Sequence, residues 1–535
     1  MDKSGWVIGE ELARQARARG HRTFLTFQSH PDVTYAEADE IAHRVSRGVA
    51  ALGVGPGDRV GVWLPNGPEI LHASFGIYRA GAVAVFVNTG YRGIFLEHVL
   101  NNAGARSVIM AGEYLPRLAE SEANLPGVER AVIVGPAPPD APPLRRISIQ
   151  SWDELVRQPA DPLGVPVSYR DVGAMMYTSG TTGPSKGVLM PHAHLYLFGQ
   201  GVVDNLRVTA DDVYYICMPL FHANALCMQL YGTLIAGARA VIAPQFSASR
   251  WLDEVRASAA TVTNTLGVMS EFIHRQPERP EDRRHRLRLI CAVPTPAEIA
   301  PVFRERFGVP LIEGYGMTEV NIPLYMPLDV SYRPGSCGRV YDRYFEVRVV
   351  DPETDEEAPR GSVGEIVVRP REPFGFMVGY NAMPDRTVEA WRNFWFHTGD
   401  AGRQDEDGYF YFVDRIKDTI RRRGENLSSY EIERVLSEHP AVAEAAAVAV
   451  RSEIAGGEDE VKACVVLAPG QALSPEGLLD FCQTRMPHFA VPRYVEFFAA
   501  LPKTPTAKVQ KVALRRSGIT AATWDREAAG YRLRR

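Results

Sequence analysis

The residues best suited to chemistry lie in one short segment, YTSGTTGPSKG, at residues 177–187. It follows the apolar stretch 173–176 and combines glycines, hydroxyl side chains and one cation, Lys186. Backbone N–H groups, hydroxyls and a lysine in a single turn are the donors that a polyphosphate requires. A glycine- and serine-rich turn without a ligand is the alternative interpretation.

This segment differs from the ordinary P-loop. The pattern G-x-x-x-x-G-K places a glycine directly before the lysine, whereas Ser185 stands there in this chain. The residues that follow, 187–190 and then Pro191, do not predict a helix that begins at the lysine and points at phosphates. The segment therefore indicates a phosphate-binding loop of another kind.

Four further motifs follow in order, and together with the first they resemble one family. They are EGYGMTE at 313–319, WFHTGD at 395–400, DRIKD at 414–418 and PKTPTAK at 502–508. The chain resembles the adenylate-forming enzymes, which include acyl-CoA synthetases, aryl-CoA ligases, firefly luciferase and peptide-synthetase adenylation domains. The stretches RGENLSSYEIE and PLFHANA are most similar to the branch of crotonobetaine/carnitine-CoA ligases and related small-acid CoA ligases.

The resemblance implies a reaction in two steps. A carboxylate attacks the α-phosphate of ATP, which gives an acyl-adenylate and pyrophosphate, and a thiol then captures the acyl group. Because the first step brings two anions together, cations and a metal must offset the developing charge. We therefore expect ATP, Mg2+, CoA as the co-substrate, and a small carboxylic acid.

The resemblance also implies which residues bind the nucleotide. Glu319 would hold Mg2+, Thr318 would bond the α-phosphate, and Lys186 would hold the β and γ phosphates. Asp400 would accept both ribose hydroxyls, because one carboxylate can take two O–H donors, and Tyr315 would stack on adenine. Taken singly, Asp400 would be interpreted as a turn cap and Tyr315 as a core residue. The full set expected to contact ATP or CoA is Thr178, Ser179, Gly180, Thr181, Thr182, Gly183, Lys186, Gly314, Tyr315, Gly316, Thr318, Asp400, Phe412, Arg415, Lys417, Arg423, Gly424 and Lys508.

Lys508 is the lysine that the resemblance assigns to catalysis of adenylation. It lies far in sequence from Lys186, so a mobile domain must bring it to the α-phosphate. Ala507 stands where relatives usually have glycine. If that position requires a positive φ, alanine costs about 1 kcal/mol and slows loop closure.

The resemblance implies that the segment after residue 415 lets the small domain rotate between the adenylating and the thiol-transfer arrangements. Lys417 matches the hinge position of the family. Arg423 falls where relatives often have a second-step lysine, and the arginines at 421–423 would bind the phosphates of CoA. A solvated basic turn is the alternative.

The segment PLFHAN at 219–224 resembles the part of the family in which a histidine or aromatic side chain gates the carboxylate site. His222 therefore joins Lys508, Lys186, Thr318 and Glu319 as a candidate catalytic residue, with a hydrogen-bonded core histidine as the alternative. Residues 291–294, CAVP, replace the GGAP-like run of many relatives, which indicates a slightly different contact to the nucleotide.

Hydrophobic periodicity predicts the elements that must position these loops. An apolar run at 60–64, the turn PNGP, a helical pattern to residue 77 and a second run at 83–87 predict a βαβ unit with parallel strands. Similar alternation at 94–110, 213–242 and 288–312 predicts an α/β fold with doubly wound, mostly parallel sheets. Ligands of such sheets bind beyond the carboxyl ends of the strands.

Changes in the pattern of predicted helices and strands along the chain indicate its domains. Residues 1–415 are expected to form the ATP- and acid-binding domain, within which 335–415 would be a small β-rich subdomain of short alternating strands. Residues 416–535 are expected to form a mobile α+β domain with its hinge at Lys417.

Composition limits the remaining function classes. Of 535 residues, 45% are hydrophobic and 23% are charged, which argues against disorder and coiled coils. The formal net charge of −5 gives no reason to expect a nucleic-acid partner. No apolar run is long enough for a secretory signal or a membrane span, so a cytoplasmic protein is expected. The six cysteines show no CxxC pairing and are expected to be small buried apolar residues.

Three other functions remain open on the sequence. The acyl group could pass to a carrier protein instead of CoA. A diazotising ligase that activates nitrite for an aryl amine would use a related first step. The fold could also serve as a catalytically silent nucleotide-binding scaffold. The identity of the acid stays open as well, because one methylene changes discrimination by only about 1 to 3 kcal/mol. The oligomeric state also stays open.

Overall fold

A computed structural model of the chain describes residues 3–178, 184–293, 295, 299–415, 420–422, 425–427, 429–452, 458–503 and 509–534. The chain divides into two compact units. The first comprises Met1–Thr89, Leu100–Met176 and Gly187–Asp414. The second comprises Gly90–Val99, Tyr177–Lys186 and Arg415–Arg535.

The predicted βαβ unit lies in the middle of an eight-stranded sheet. Its strands Arg59–Trp63 and Val83–Phe86 are parallel, with Val60 opposite Ala84. The helix between them, Pro68–Arg79, has proline in its first turn, where no backbone donor is needed. In spatial order the sheet runs Gly379–Tyr380, Lys186–Pro191, Val172–Thr178, Val83–Phe86, Arg59–Trp63, Ser107–Ala111, Arg130–Val134, Ser148–Ser151.

A second sheet of the large unit has nine strands. Its six central strands are parallel, and antiparallel strands close both edges. In spatial order the strands are Arg339–Val340, Asn321–Tyr325, Leu311–Met317, Leu289–Ala292, Val262–Thr265, Val213–Ile216, Arg239–Ile242, Thr23–Phe27, Val33–Thr34. The prediction of an α/β fold with mostly parallel sheets is confirmed.

A third, antiparallel sheet occupies the region of short alternating strands. Its strands are Phe345–Val350, Gly364–Pro370, Trp395–Gln404 and Trp391–Arg392, and Phe410–Arg415 pairs with Trp395–Gln404. In this sheet Val368 lies opposite Phe396, which fixes the register of the WFHTGD segment. The sheet therefore sets the position of Asp400.

Helices cover the sheets of the large unit, and their starts follow the local sequence. Helix Tyr35–Ala51 begins with a capping box, in which Thr34 Oγ1 accepts from the Glu37 amide and the Glu37 carboxylate accepts from the Thr34 amide. The other α-helices before residue 415 are Ile8–Arg19, Ile94–Ala103, Leu115–Ser121, Trp152–Leu155, His192–Leu206, Tyr231–Ala236, Trp251–Ala257, Gly267–His274, Ile299–Phe307 and Pro384–Ala390. Single 3-10 turns lie at Gly112–Tyr114 and Glu122–Asn124, and a π-helix lies at Asn224–Leu230.

The second unit has its own sheet and its own apolar core. Its strands are Val442–Arg451, Asp459–Leu467, Tyr494–Phe497 and Trp524–Asp525, with a hairpin of Ile420–Arg422 and Glu425–Leu427. Its helices are Ser429–Ser437, Pro475–Gln483 and Lys511–Ser517. Ser474 caps the middle helix by accepting a hydrogen bond from the Gly477 amide at 3.1 Å, as its Ser-Pro-Glu sequence predicts.

Two further features concern the cysteines and the length of the apolar helices. The six cysteines are free thiols, and all are buried, as predicted. Within the described ranges, no helix is both long enough and apolar enough to span a bilayer.

Candidate active site

The candidate site in the large unit lies along the carboxyl ends of neighbouring parallel strands. Strand Val213–Ile216 leads into the loop that carries His222, strand Val262–Thr265 ends beside it, and strand Leu311–Met317 carries Tyr315. Because these strands are parallel, their carboxyl ends meet at one edge of the nine-stranded sheet. Most of the predicted residues of this unit lie there.

Thr318 and Glu319 lie in the tight turn of a β-hairpin. The hairpin pairs strand Leu311–Met317 with Asn321–Tyr325, and Asn321 adopts a left-handed conformation with φ of 73°. Gly316 is required by close approach, because a Cβ there would lie 2.1 Å from the Asn321 carbonyl oxygen. The predicted role of Gly316 was approach to a ligand; the approach found in the structure is to the facing strand.

Glu319 is a buried carboxylate, 6% exposed. The Tyr380 hydroxyl donates to its Oε1 at 3.0 Å, and burial together with the nearby Glu319 carboxylate raises the pKa of Tyr380 far above its usual value. Within the described residues, no group of three or more metal-ligating side chains occurs. One carboxylate nevertheless fits Mg2+, which is commonly held by one or two carboxylates together with substrate phosphates.

Asp400 and Tyr315 form the central contact of the site. Asp400 is 2% exposed, and its Oδ2 accepts a hydrogen bond of 2.7 Å from the Tyr315 hydroxyl. The Asp400 amide donates to Thr398 Oγ1 at 3.1 Å, and Thr398 Oγ1 donates to the Ile366 carbonyl at 2.6 Å. The adjacent strand thus fixes the carboxylate that the sequence assigns to ribose.

Glu365 supports the same segment and was not identified from the sequence. Its carboxylate accepts from the Gly399 amide at 2.8 Å and lies 2.9 Å from Nδ1 of His397. Burial alone would raise the pKa of Glu365, but the hydrogen bonds from His397 and Gly399 outweigh it and lower the pKa. The only sequence signal was a carboxylate in the middle of an apolar strand, VGEIVV.

Glu313 is a second buried carboxyl group that the sequence prediction did not use. It is 4% exposed, and burial raises its pKa to about 8 despite hydrogen bonds from Thr295. It directly precedes Gly314 and Tyr315, so a carboxyl group that is largely protonated at neutral pH lies at this edge of the sheet.

His222 lies in a loop held by Asn66. The Asn66 side-chain amide donates to the carbonyls of Met218 and Ala243, both at 3.0 Å, and its Oδ1 accepts from the Leu220 amide at 2.8 Å. The ring centroids of Phe221 and His222 are 4.6 Å apart. The sequence prediction treated Asn66 as part of the PNGP turn only; the structure shows that this turn positions the His222 loop.

In the second unit, the end of the phosphate-loop motif has well-defined partners. The Ser185 amide donates to Oε1 of Glu431 at 3.1 Å, and the Ser185 carbonyl lies 2.7 Å from Nε2 of His98. Thr178 and Lys186 are half-buried at the ends of the two strands that flank the loop. Both the amide and the carbonyl of Ser185, the residue that distinguishes this loop from a P-loop, thus have hydrogen-bond partners.

Arg422 corrects part of the prediction for residues 421–423. It is 1% exposed, donates to the carbonyls of Phe489 and Val491 at 2.9 and 2.8 Å, and pairs with Glu460 at 2.6 Å. A guanidinium used in this way stabilises the second unit and is not available to CoA phosphates.

The remaining predicted residues are less informative in the structure. Phe412 is 42% exposed on strand Phe410–Arg415, which Arg415 ends. Several predicted residues lie outside the described part of the chain: Ser179, Gly180, Thr181, Thr182, Gly183, Lys417, Arg423, Gly424 and Lys508.

Comparison with known proteins shows the family of this chain. Residues 12–380 match the family model of the AMP-binding enzyme, and residues 431–508 match the AMP-binding enzyme C-terminal domain. Crotonobetaine/carnitine–CoA ligase of Salmonella paratyphi A is 31% identical over 530 residues, which cover 95% of this chain and 100% of that protein.

Solved structures give the same family. A double mutant of o-succinylbenzoate CoA synthetase from Bacillus subtilis, bound with a product analogue, matches with a TM-score of 0.81 and 25% identity, covering 96% of this chain and 99% of that one. ATP-bound MatB from Rhodopseudomonas palustris matches with a TM-score of 0.70 and 27% identity, covering 96% and 98%.

Proposed function

Because this chain belongs to the AMP-binding enzyme family of adenylate-forming acyl-CoA ligases, we propose that it joins a small carboxylic acid to CoA through an acyl-adenylate. In the first step a carboxylate oxygen bonds to the α-phosphorus of ATP, and the bond from that phosphorus to the leaving pyrophosphate oxygen breaks. In the second step the CoA thiolate attacks the acyl carbonyl, and AMP leaves.

The observation that carries the proposal is the hydrogen bond between Tyr315 and Asp400. It joins two motifs that lie 85 residues apart and places a carboxylate beside an aromatic ring at the carboxyl edge of the sheet. A buried carboxylate that can accept O–H donors, next to a ring that can stack on a base, suits a nucleoside. An apolar core would gain nothing from a buried charge in that position.

The residues of the large unit would hold the nucleotide and the acid. Asp400 accepts ribose hydroxyls, the Tyr315 ring orients adenine, and Thr318 donates to the α-phosphate. Glu319 would hold Mg2+, which when bound offsets negative charge on the phosphates. His222 orients the incoming carboxylate from the loop that Asn66 fixes.

The remaining predicted phosphate- and thiol-side residues, all of which belong to the second unit, would act in turn. Lys508 offsets charge on the α-phosphate during adenylation, and Lys186 with Thr178, Ser179, Gly180, Thr181, Thr182 and Gly183 binds the β and γ phosphates. Rotation of residues 416–535 about Lys417 then brings Arg423 and Gly424 to the place where the CoA thiol enters.

A panel of carboxylic acids tests this function. Purified enzyme with ATP, Mg2+ and each acid should catalyse exchange of labelled pyrophosphate into ATP, and CoA should then give an acyl-CoA detectable by mass spectrometry. Absence of acid-dependent exchange across aliphatic, aromatic and amino-bearing acids would refute the proposal.

The same panel separates the alternative functions. Exchange without acyl-CoA formation would favour transfer to a carrier protein. Nitrite-dependent consumption of ATP, with a diazo product from an added aminoarene, would favour the diazotising reaction. The variant Lys508→Ala is the control for the first step, since it should lose exchange but still transfer the acyl group from a synthetic acyl-adenylate to CoA.

A further inference from the structure

A buried chain of neutral polar side chains reaches the edge of the sheet at Asn224. The Tyr214 hydroxyl donates to Oδ1 of Asn264 at 2.6 Å, and Nδ2 of Asn264 donates to Oδ1 of Asn224 at 2.8 Å. Gln229 Nε2 also donates to Oδ1 of Asn224, at 3.1 Å. Tyr214, Asn264 and Gln229 are 0% exposed, whereas Asn224 is half-buried. Asn224 is therefore the residue of this hydrogen-bonded network that is partly accessible to solvent.

These bonds fix the orientation of the Asn224 amide. Its oxygen has two lone pairs, and both are used by Asn264 and Gln229. The oxygen must therefore face the buried chain, and Nδ2 must face the other way. Among the described residues no hydrogen bond from Nδ2 is found, which leaves its two N–H groups as donors for a ligand.

The backbone around Asn224 is built to hold this arrangement. Residues Asn224–Leu230 form a π-helix, whose wider turn allows the side chains of Asn224 and Gln229, five residues apart, to hydrogen-bond. π-Helical turns are rare and often occur at functional sites. The π-helix begins two residues after His222, so the donors of Asn224 lie on the same loop as the candidate carboxylate gate.

The sheet places these donors on the same edge as the candidate nucleotide residues. Asn264 pairs in register with Cys291, and the next residue of that strand, Ala292, pairs with Glu313, two residues before Tyr315. Two strand spacings separate the Asn264 strand from the Tyr315 strand, which is about 10 Å. This distance suits an acid whose carboxylate reacts where Thr318 follows the Leu311–Met317 strand and whose other end extends towards Asn224.

We propose that Asn224, positioned by Asn264 and Gln229, reads an uncharged oxygen acceptor, a hydroxyl or carbonyl, on the acid that this enzyme activates. The inference rests on the proposed function and names the class of its substrate. Within the described residues, no Lys, Arg or His side chain hydrogen-bonds to Asn224, Asn264 or Gln229. A second carboxylate would therefore gain no ion pair from this network, whereas burying its charge is costly. A hydroxyl or carbonyl oxygen accepts the two N–H donors without that cost.

Matched pairs of acids test the inference. Butyrate is compared with 3-hydroxybutyrate and 3-oxobutyrate, benzoate with 4-hydroxybenzoate, and succinate serves as the dicarboxylate. The readout is kcat/KM in pyrophosphate exchange. In the wild type, at least one oxygen-bearing acid should exceed its apolar partner roughly tenfold or more, because a site built to hydrogen-bond an oxygen rejects the analogue that lacks it.

The variant Asn224→Asp isolates the donors. An aspartate carboxylate can still accept from Asn264 and Gln229 but donates nothing when ionised, so the preference ratio should fall towards one. The matched control is Asn101→Asp, the same change at an exposed asparagine in helix Ile94–Ala103, which should leave the ratio unchanged. Thermal melting checks the fold, and Asn224→Ser is the second variant if Asn224→Asp is unstable.

The outcomes separate this inference from the proposed function. If no acid supports exchange, the proposed function fails and the inference fails with it. If exchange occurs but the ratio is equal in the wild type and Asn224→Asp, only the inference is overturned. A preference for succinate over the monocarboxylic acids would likewise overturn the inference, because a second carboxylate would require a cation that the network does not provide.

Discussion

Tyr315 and Asp400 share one hydrogen bond, yet we expect substitution of each residue to change the kinetics by a different amount. Tyr315→Phe keeps the ring and removes only the hydroxyl that holds Asp400, so KM for ATP should rise by a few-fold. Asp400→Asn removes the charged acceptor for ribose, and KM for ATP should rise roughly tenfold or more. Steady-state pyrophosphate exchange at varied ATP measures both values. A larger defect in Tyr315→Phe than in Asp400→Asn would contradict the assigned roles.

Glu313 makes the stability of the large unit depend on pH. Its pKa of about 8 in the folded protein lies above the usual carboxyl value of 4.5, so between these values the folded state holds a proton that the unfolded state has lost. The contribution of Glu313 to stability is present at low pH and should fall by up to about 1.4 kcal/mol per pH unit as pH rises towards 8. Glu313→Gln should remove this dependence.

Thermal or denaturant unfolding of the wild type and Glu313→Gln at pH 5, 6, 7 and 8 measures the difference. The wild type should lose stability relative to the variant as pH rises. A difference that stays constant across this range would show that Glu313 does not titrate between the two states.

At the scale of elements, the hairpin that carries Thr318 and Glu319 depends on Gly316. A Cβ at this residue would lie 2.1 Å from the Asn321 carbonyl oxygen and 2.6 Å from a methyl group of Ile322. Gly316→Ala must therefore push the two strands apart, which should cost several kcal/mol and raise KM for ATP by displacing the Thr318–Glu319 turn. Thermal melting and pyrophosphate exchange measure the two effects.

Gly127→Ala is the matched control, because nothing lies within 4 Å of a Cβ at that residue and its φ lies outside the positive range. It should leave the melting temperature and KM for ATP nearly unchanged. Equal effects of the two substitutions would show that close approach is not the reason for glycine at 316.

Helices were predictable from the sequence where nearby residues determine where they begin. The helix Pro68–Arg79 followed from the apolar periodicity after the PNGP turn, and the start of the helix Pro475–Gln483 followed from its Ser-Pro-Glu sequence. The π-helix Asn224–Leu230 was not predictable, because Asn224 is held by Asn264, 40 residues away. Arg422 was misassigned for the same reason: the carbonyls that bury it belong to residues 489 and 491.

At the scale of the whole molecule, the division into two units was not fully predictable. Sequence texture indicated a change near residue 415, but the second unit also includes Gly90–Val99 and Tyr177–Lys186. Phe95, for example, belongs to the apolar cluster that contains Ile432 and Val435. Contacts between segments this distant in sequence leave no periodic signal, so the motifs supplied candidate site residues without showing how the segments assemble.

Glu431 connects the phosphate-loop segment to the rest of the second unit. It is 5% exposed and accepts the Ser185 amide at 3.1 Å, while His98 holds the Ser185 carbonyl at 2.7 Å. Burial raises the pKa of the Glu431 carboxyl, although hydrogen bonds from Ser185 oppose the shift. Hydrogen bonds thus hold both the amide and the carbonyl of Ser185, the residue directly before Lys186.

Replacement of this carboxyl should release the segment without altering Lys186 itself. In Glu431→Ala, hydrogen exchange of the Ser185 amide should accelerate roughly tenfold or more, since one hydrogen bond to a buried carboxyl is lost. KM for ATP should rise because the cation next to Ser185 is no longer held in place. The exposed Glu438→Ala, beyond the end of the same helix, is the control and should change neither value. Unchanged exchange at Ser185 in Glu431→Ala would mean that the segment before Lys186 is ordered by other contacts.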